Sequence, residues 1–270
     1  MDRLLVPTKS CPYRCAPEGR VHVFDASALP WQATANPGLK MKSIRRDDER
    51  GEFLGLICFE PFTRSSLHQH QGVATSFALQ GSLTDYQGAL SLHEVGINVH
   101  GSTHDAMAYS QTVLVSKLEA PVAYPLNDGP LTGLHAGSHH KAFRNPDPQV
   151  WPDRNVAVDG LVKESTLVAG VARQTIFDYA DTGLARRMVQ WQCLPESTVP
   201  EWQASDWVEF WIRGGELVVN GERAHANCFV VIEPGATVRL ASPFGALLLA
   251  WAEGRERRMD GVGDIDLFGF

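Results

Sequence analysis

Residues 68–104 read HQHQGVATSFALQGSLTDYQGALSLHEVGINVHGSTH and hold five of the chain's ten histidines: His68, His70, His93, His100 and His104. A His-x-His pair in a β-strand turns both imidazoles to one face, because side chains alternate with a period of two. A glycine turn further on, Gly101-x-x-His104, brings in a third imidazole that completes a metal-binding face. Imidazole is the common ligand of zinc, iron, copper and nickel, and three ligands with an open position is the layout of a reactive centre. A lone histidine is more often a surface or hydrogen-bonded residue. The pair, the apolar run and the glycine turn in this order favour a metal instead.

Outward from this stretch, short apolar or alternating runs dominate in both directions. VHVFDA (21–26), LKMKSIRR (39–46), EFLGLICFEP (52–61) and TVLVSKLEAPV (112–122) read as strands. So do STLVAGVARQTIF (165–177), ARRMVQWQCLP (185–195), WVEFWIRGGELVVNG (207–221), CFVVIEPGATVRLA (228–241) and FGALLLAWAEG (244–254). Helical periodicity is scarce, so the chain is expected to be all-β. Residues 1–20 read as a loose arm or edge segment, and residues 255–270 as a closing edge strand or tail. Residues 123–160 are dense in Pro, Gly, Asn and Asp and read as a linker or crossover loop. His135, His139 and His140 fall there and read as solvated. These boundaries predict a first domain over 1–122, a linker over 123–160 and a second domain over 161–270.

The composition narrows the function. With 270 residues, 44% hydrophobic and 20% charged, the chain is long and apolar enough for a substantial core. A net charge of -7 without a basic run argues against nucleic acid and anionic membranes as partners, and for a small molecule. No run is long enough for a signal peptide or a membrane span, so the expectation is a cytoplasmic protein. The five cysteines are then expected as free thiols, the Cys11–Cys15 spacing notwithstanding.

An internal repeat links the halves. A shift of 134 residues sets Pro61 on Pro195, Gly81 on Gly215, Leu83 on Leu217 and Gly101 on Gly235, and lays Val113–Val115 over Leu247–Leu249. Matching glycines imply matching turns. The same shift sets His68 on Trp202, His70 on Ala204, His100 on Pro234 and His104 on Val238. The second copy therefore keeps the turns without the imidazoles, and reads as a packing module rather than a pocket for an apolar ligand, since buried aromatic and aliphatic side chains are most often core.

His68-x-His70, FALQGSL and the Gly101-x-x-His104 turn resemble the two motifs of the cupin barrels, and FWIRGGELVVNG with IEPGATV resembles a degenerate second copy. The resemblance covers about residues 21–120 and 165–254 and implies two tandem cupin barrels of jelly-roll type. Within the superfamily, GSLTDYQGALSLHEVG is similar to two groups. One is the non-haem iron dioxygenases that cleave a carbon–carbon bond beside a ketone, such as the acetylacetone and dihydroxyacetophenone dioxygenases. The other is the zinc-binding cupin domain of ChrR-type anti-sigma factors.

The resemblance implies a divalent metal on His68, His70 and His104, with Fe(II) favoured and Zn(II) next. Cupins usually carry a glutamate seven residues before the first-motif glycine, where this chain has Ala74, followed by Thr75. Three neutral imidazoles leave about two positive charges on the ion, which favours an anionic, bidentate oxygen ligand such as the enolate of a diketone or hydroxyketone. His100, in a place where proline is usual, is the expected proton carrier at the pocket rim, and His93 an exposed turn residue or helper. Thr75, Phe77 and Leu79 are the expected substrate-lining residues. Three activities stay open: a three-histidine dioxygenase, a zinc sensor without turnover, and a metal-dependent isomerase or lyase. Sheet edges that need covering allow a homodimer, unless the two barrels of one chain already cover each other's edges.

Overall fold

The computed structural model describes residues 13–16, 19–85, 88–124, 154–179, 186–254 and 256–259. Among them there is no α-helix, only β-strands and two 3-10 turns, Ala26–Ala28 and Val158–Gly160. No helix among them is long and apolar enough to cross a membrane. His135, His139 and His140, and most of the closing segment 255–270, lie outside the described residues.

The chain divides into two compact units, and the second is not contiguous in sequence. Among the described residues, Pro30–Asp159 belong to the first, while those up to Leu29 join those from Gly160 onward in the second. This corrects the expected boundaries of 1–122, 123–160 and 161–270 at both ends. The VHVFDA strand, Val21–Asp25, pairs along its whole length with Cys228–Ile232, in the second unit. Arg154–Ala157, expected as linker, is a strand that pairs with Glu94–Asn98 in the first. Local patterning identifies a strand but says nothing of which sheet edge it closes, since any free edge offers the same row of N–H and C=O groups.

In the first unit an antiparallel sheet runs in the order Arg154–Ala157, Glu94–Asn98, Ala74–Gln80, Thr112–Leu118, Glu52–Phe59, Leu39–Asp47, Gln32–Ala33. Two smaller sheets complete the barrel. One contains Leu83–Asp85 between Gly88–Leu90 and Met107–Ala108; the other has His68–His70 between Thr103–His104 and Val122–Ala123. In the second unit the corresponding sheet contains Cys228–Ile232, Val208–Val219, Ala246–Ala252, Arg187–Cys193 and Val171–Asp178 as successive neighbours. CFVVIEPGATVRLA forms two strands here, Cys228–Ile232 and Thr237–Ser242, because its Pro-Gly turn falls in the middle.

The interiors differ along one line of directly paired residues. In the first unit this rung reads Asn155, Gly96, Ser76, Ser116, Gly55, Ser43 across six strands. In the second it reads Val23, Val230, Phe210, Ala250, Val189, Thr175. Small and polar groups leave space where the apolar set fills it. A cavity of about 460 Å³ opens in the first unit, with Ser76, Gly96 and Asn155 on its wall. In the second, Phe210, Val189, Val230 and Ala250 join Trp191 and Trp202 in a continuous buried core.

Candidate metal centre

His68 and His70 lie on His68–His70, and antiparallel pairing sets His104 directly across from His68. Side chains opposite each other in this way are neighbours on one face, so all three rings converge. Gly101 makes the return possible. It sits at φ 86°, a left-handed conformation that costs glycine nothing, and its N–H donates to the carbonyl of His70 while the His70 N–H donates to that of Ser102. Gln69, between the two histidines, faces away and donates to the Gly101 carbonyl.

The ring centroids stand 4.9 Å (His68–His70), 4.7 Å (His68–His104) and 5.1 Å (His70–His104) apart. One nitrogen from each lies within 4.8 Å of the others, and the Nε2 atoms of His70 and His104 are 3.1 Å apart. Outer groups fix two of the rings. Nδ1 of His104 donates to Oδ2 of Asp85 at 2.8 Å, and Nδ1 of His68 donates to the carbonyl of Ser66 at 2.7 Å. With the proton held on Nδ1, each Nε2 lone pair is left to face the cluster, the orientation in which imidazoles bind metals.

The electrostatics agree. Burial, with the neighbouring His104 ring adding to it, pushes the pKa of His68 down to about 3 against the opposing pull of the Ser66 carbonyl. Burial and the two neighbouring rings hold His70 well below its ordinary value. Both are therefore neutral at pH 7, which is the form that ligates. Three imidazole nitrogens within one ion's reach, two of them oriented by outer groups, fit a divalent metal. Among the described residues this is the one group of three or more His, Cys, Asp or Glu placed to hold one.

The cluster opens into the first unit's cavity, whose wall includes all three histidines, Asp85, Ala74 and Ser76. Ala74, at the expected glutamate position, faces the site and offers no ligand. The expected substrate residues are corrected. Ala74 and Ser76 point into the cavity, so Thr75, Phe77 and Leu79 point out of the other face, and none of the three lines it. Phe77 is fully buried there, and its ring stacks on His93 at 5.9 Å.

His100 is corrected as well. It is exposed on the turn between Val99 and Ser102 and does not line the cavity, so it is not placed to carry protons at the site. His93 holds a left-handed turn at φ 64°, which Asn227 repeats at φ 68° in the second unit, so that position serves the turn. Reading the sequence missed Asp85, although Asp85 shares its strand face with Leu83, another cavity residue. It also missed Tyr124, whose ring stands 6.1 Å from His68.

With the geometry described, comparison with known proteins bears on the fold: two tandem jelly-roll barrels of cupin type, the first carrying the three-histidine cluster. Residues 19–122 match the family described as the ChrR cupin-like domain. No curated protein matches the chain in sequence. Among solved structures, a candidate dioxygenase from Nostoc punctiforme aligns with a TM-score of 0.70 at 10% identity, over 87% of this chain and 83% of its own. A candidate glyoxylate-induced protein from Pseudomonas aeruginosa aligns at 0.66 and 10%, over 93% and 95%. Oxalate decarboxylase from Bacillus subtilis aligns at 0.58 and 10%, over 88% and 78%. At such identities the likeness is one of fold.

Proposed function

We propose that the first barrel is a three-histidine non-haem iron centre that cleaves a carbon–carbon bond in a small diketone or hydroxyketone with O2. The observation that carries this reading is the opening of the histidine cluster into a cavity large enough for a small organic molecule, with Ala74 where a carboxylate ligand would otherwise stand. Without that carboxylate the centre keeps more positive charge and favours an enolate bound through two oxygens. An iron(II) ion held by His68, His70 and His104 would supply a Lewis acid for the enolate and a path for electrons to O2.

The chain's own residues hold and shield. Asp85 keeps a proton on Nδ1 of His104, and the Ser66 carbonyl does the same for His68. Leu39, Met41, Ile57, Phe59 and Leu114 form an apolar wall that excludes water from the ligand. The other reading, a zinc sensor without turnover, is favoured by the ChrR cupin-like match over residues 19–122.

Anaerobic purification, metal analysis and oxygen uptake with pentane-2,4-dione separate the two. Iron together with stoichiometric uptake is the expected result. Tightly held zinc and no uptake with any diketone would sink the dioxygenase reading and leave the sensor.

A further inference from the structure

Ser76 lies on the cavity wall two residues along its strand from Ala74, at the centre of the small and polar rung. Its Oγ is 2.8 Å from Oγ of Ser116, which is fully buried. Two hydroxyls bring two protons, and only one can lie between the oxygens. If Ser116 donates, the proton of Ser76 is free to point into the cavity; if Ser76 donates, its lone pair faces it. Either way a polar atom is presented among Leu39, Met41, Ile57 and Leu114. The same place in the second barrel is Phe210, with Ala250 opposite, so the fold itself has no use for the hydroxyl pair.

We infer that Ser76 is a specificity-determining residue of the first barrel, hydrogen-bonding a polar group on the otherwise apolar body of a ligand that chelates at the histidine end. This rests on the proposed centre for the place of the chelating end. Asn155, on the same rung, spends one amide N–H on the Ala89 carbonyl, and Ser76 is the hydroxyl set among the aliphatic residues of the wall.

The probes are 1-phenylbutane-1,3-dione and its 4-hydroxyphenyl analogue, titrated calorimetrically into the full chain, both loaded with Zn(II) and stripped of metal. The hydroxylated probe should bind about fivefold tighter to both forms, the worth of one hydrogen bond. Ser76→Ala should remove that preference while keeping the phenyl probe. Ser76→Phe, which borrows the residue of the second barrel, should lose both probes and retain zinc by elemental analysis. Equal affinity for the two probes, an unchanged preference in Ser76→Ala, or no binding to either form overturns the inference. A preference that persists in a chain unable to hold zinc upholds it and overturns the metal centre instead.

Discussion

The turns at Gly101 and Gly235 are hydrogen-bonded alike: Gly101 donates to His70 and Gly235 to Ala204, while His70 and Ala204 each donate back to the residue after the glycine. One turn nevertheless lies beside three imidazoles, and the other beside Trp202, Ala204 and Val238, all buried. Two barrels of one chain thus share a backbone and differ in what fills it. The histidines are not needed to make the turn or close the barrel. Equally, the apolar set shows what this fold adopts when packing alone decides, with Phe210 on the rung where Ser76 lines a cavity. Chemistry and packing have been divided between the copies.

The comparison breaks most sharply by exchanging roles. His104→Ala should abolish stoichiometric metal in the purified protein; unchanged metal content would remove the centre altogether. Trp202→Ala, at the place of His68, should leave the metal in the first barrel and destabilise the second by about 3–5 kcal/mol, as large-to-small changes in a packed core do. Chemical denaturation with metal analysis of the same samples reads both effects. If Trp202→Ala costs nothing, the second barrel is not the packed module described.

A smaller effect is expected at Asp85, for which the second barrel has Val219. Asp85→Asn should weaken metal binding about 10–100-fold, the usual cost of losing a carboxylate behind a ligating histidine. Competition with a chelator measures it, and the 15N shifts of the His104 ring report whether the proton has left Nδ1. An unchanged dissociation constant with an unchanged tautomer would reduce Asp85 to a packing role.

The smallest effect is on stability against pH. In the folded, metal-free chain the pKa of His68 is depressed from 6.5 to about 3 and that of His70 is also lowered. Below 6.5 the unfolded chain takes up protons that the folded one refuses. The stability these rings permit is therefore fully present above pH 6.5 and declines as pH falls toward 3. His68→Gln should flatten that decline in urea titrations of the metal-free protein. A slope no different from that of wild type would count against the buried, neutral ring.

Much of this was legible in the sequence. The alternating runs gave strands, and glycines at a fixed spacing gave the repeated turns, because Gly101 and Gly235 both need a left-handed backbone. His68, His70 and His104 were readable because the period of a strand puts a His-x-His pair on one face. The parity of VATSFAL was not. Phe77 is buried beside Val95 and Val115, its partners in neighbouring strands, while Ala78 is buried on the cavity side. With both faces of the sheet covered, apolar character does not tell inside from outside. The serine at 76 was the better pointer, a hydroxyl among apolar neighbours. Asp85 stayed hidden because its meaning comes from His104, nineteen residues away.

The exchanged first strands have a consequence for any attempt to divide the protein. A gene cut at the end of the first repeat, after residue 122, would leave the first product without Arg154–Ala157 and so without Asn155 at its cavity rim. The second product would lack Val21–Asp25 and expose the backbone of Cys228–Ile232 along one side. Each fragment would carry an open seam ready to recruit a stray strand, the ordinary beginning of aggregation. A duplicated chain wired in this way is inherited whole: the metal barrel cannot be transplanted alone without also carrying the strand written on the far side of the boundary.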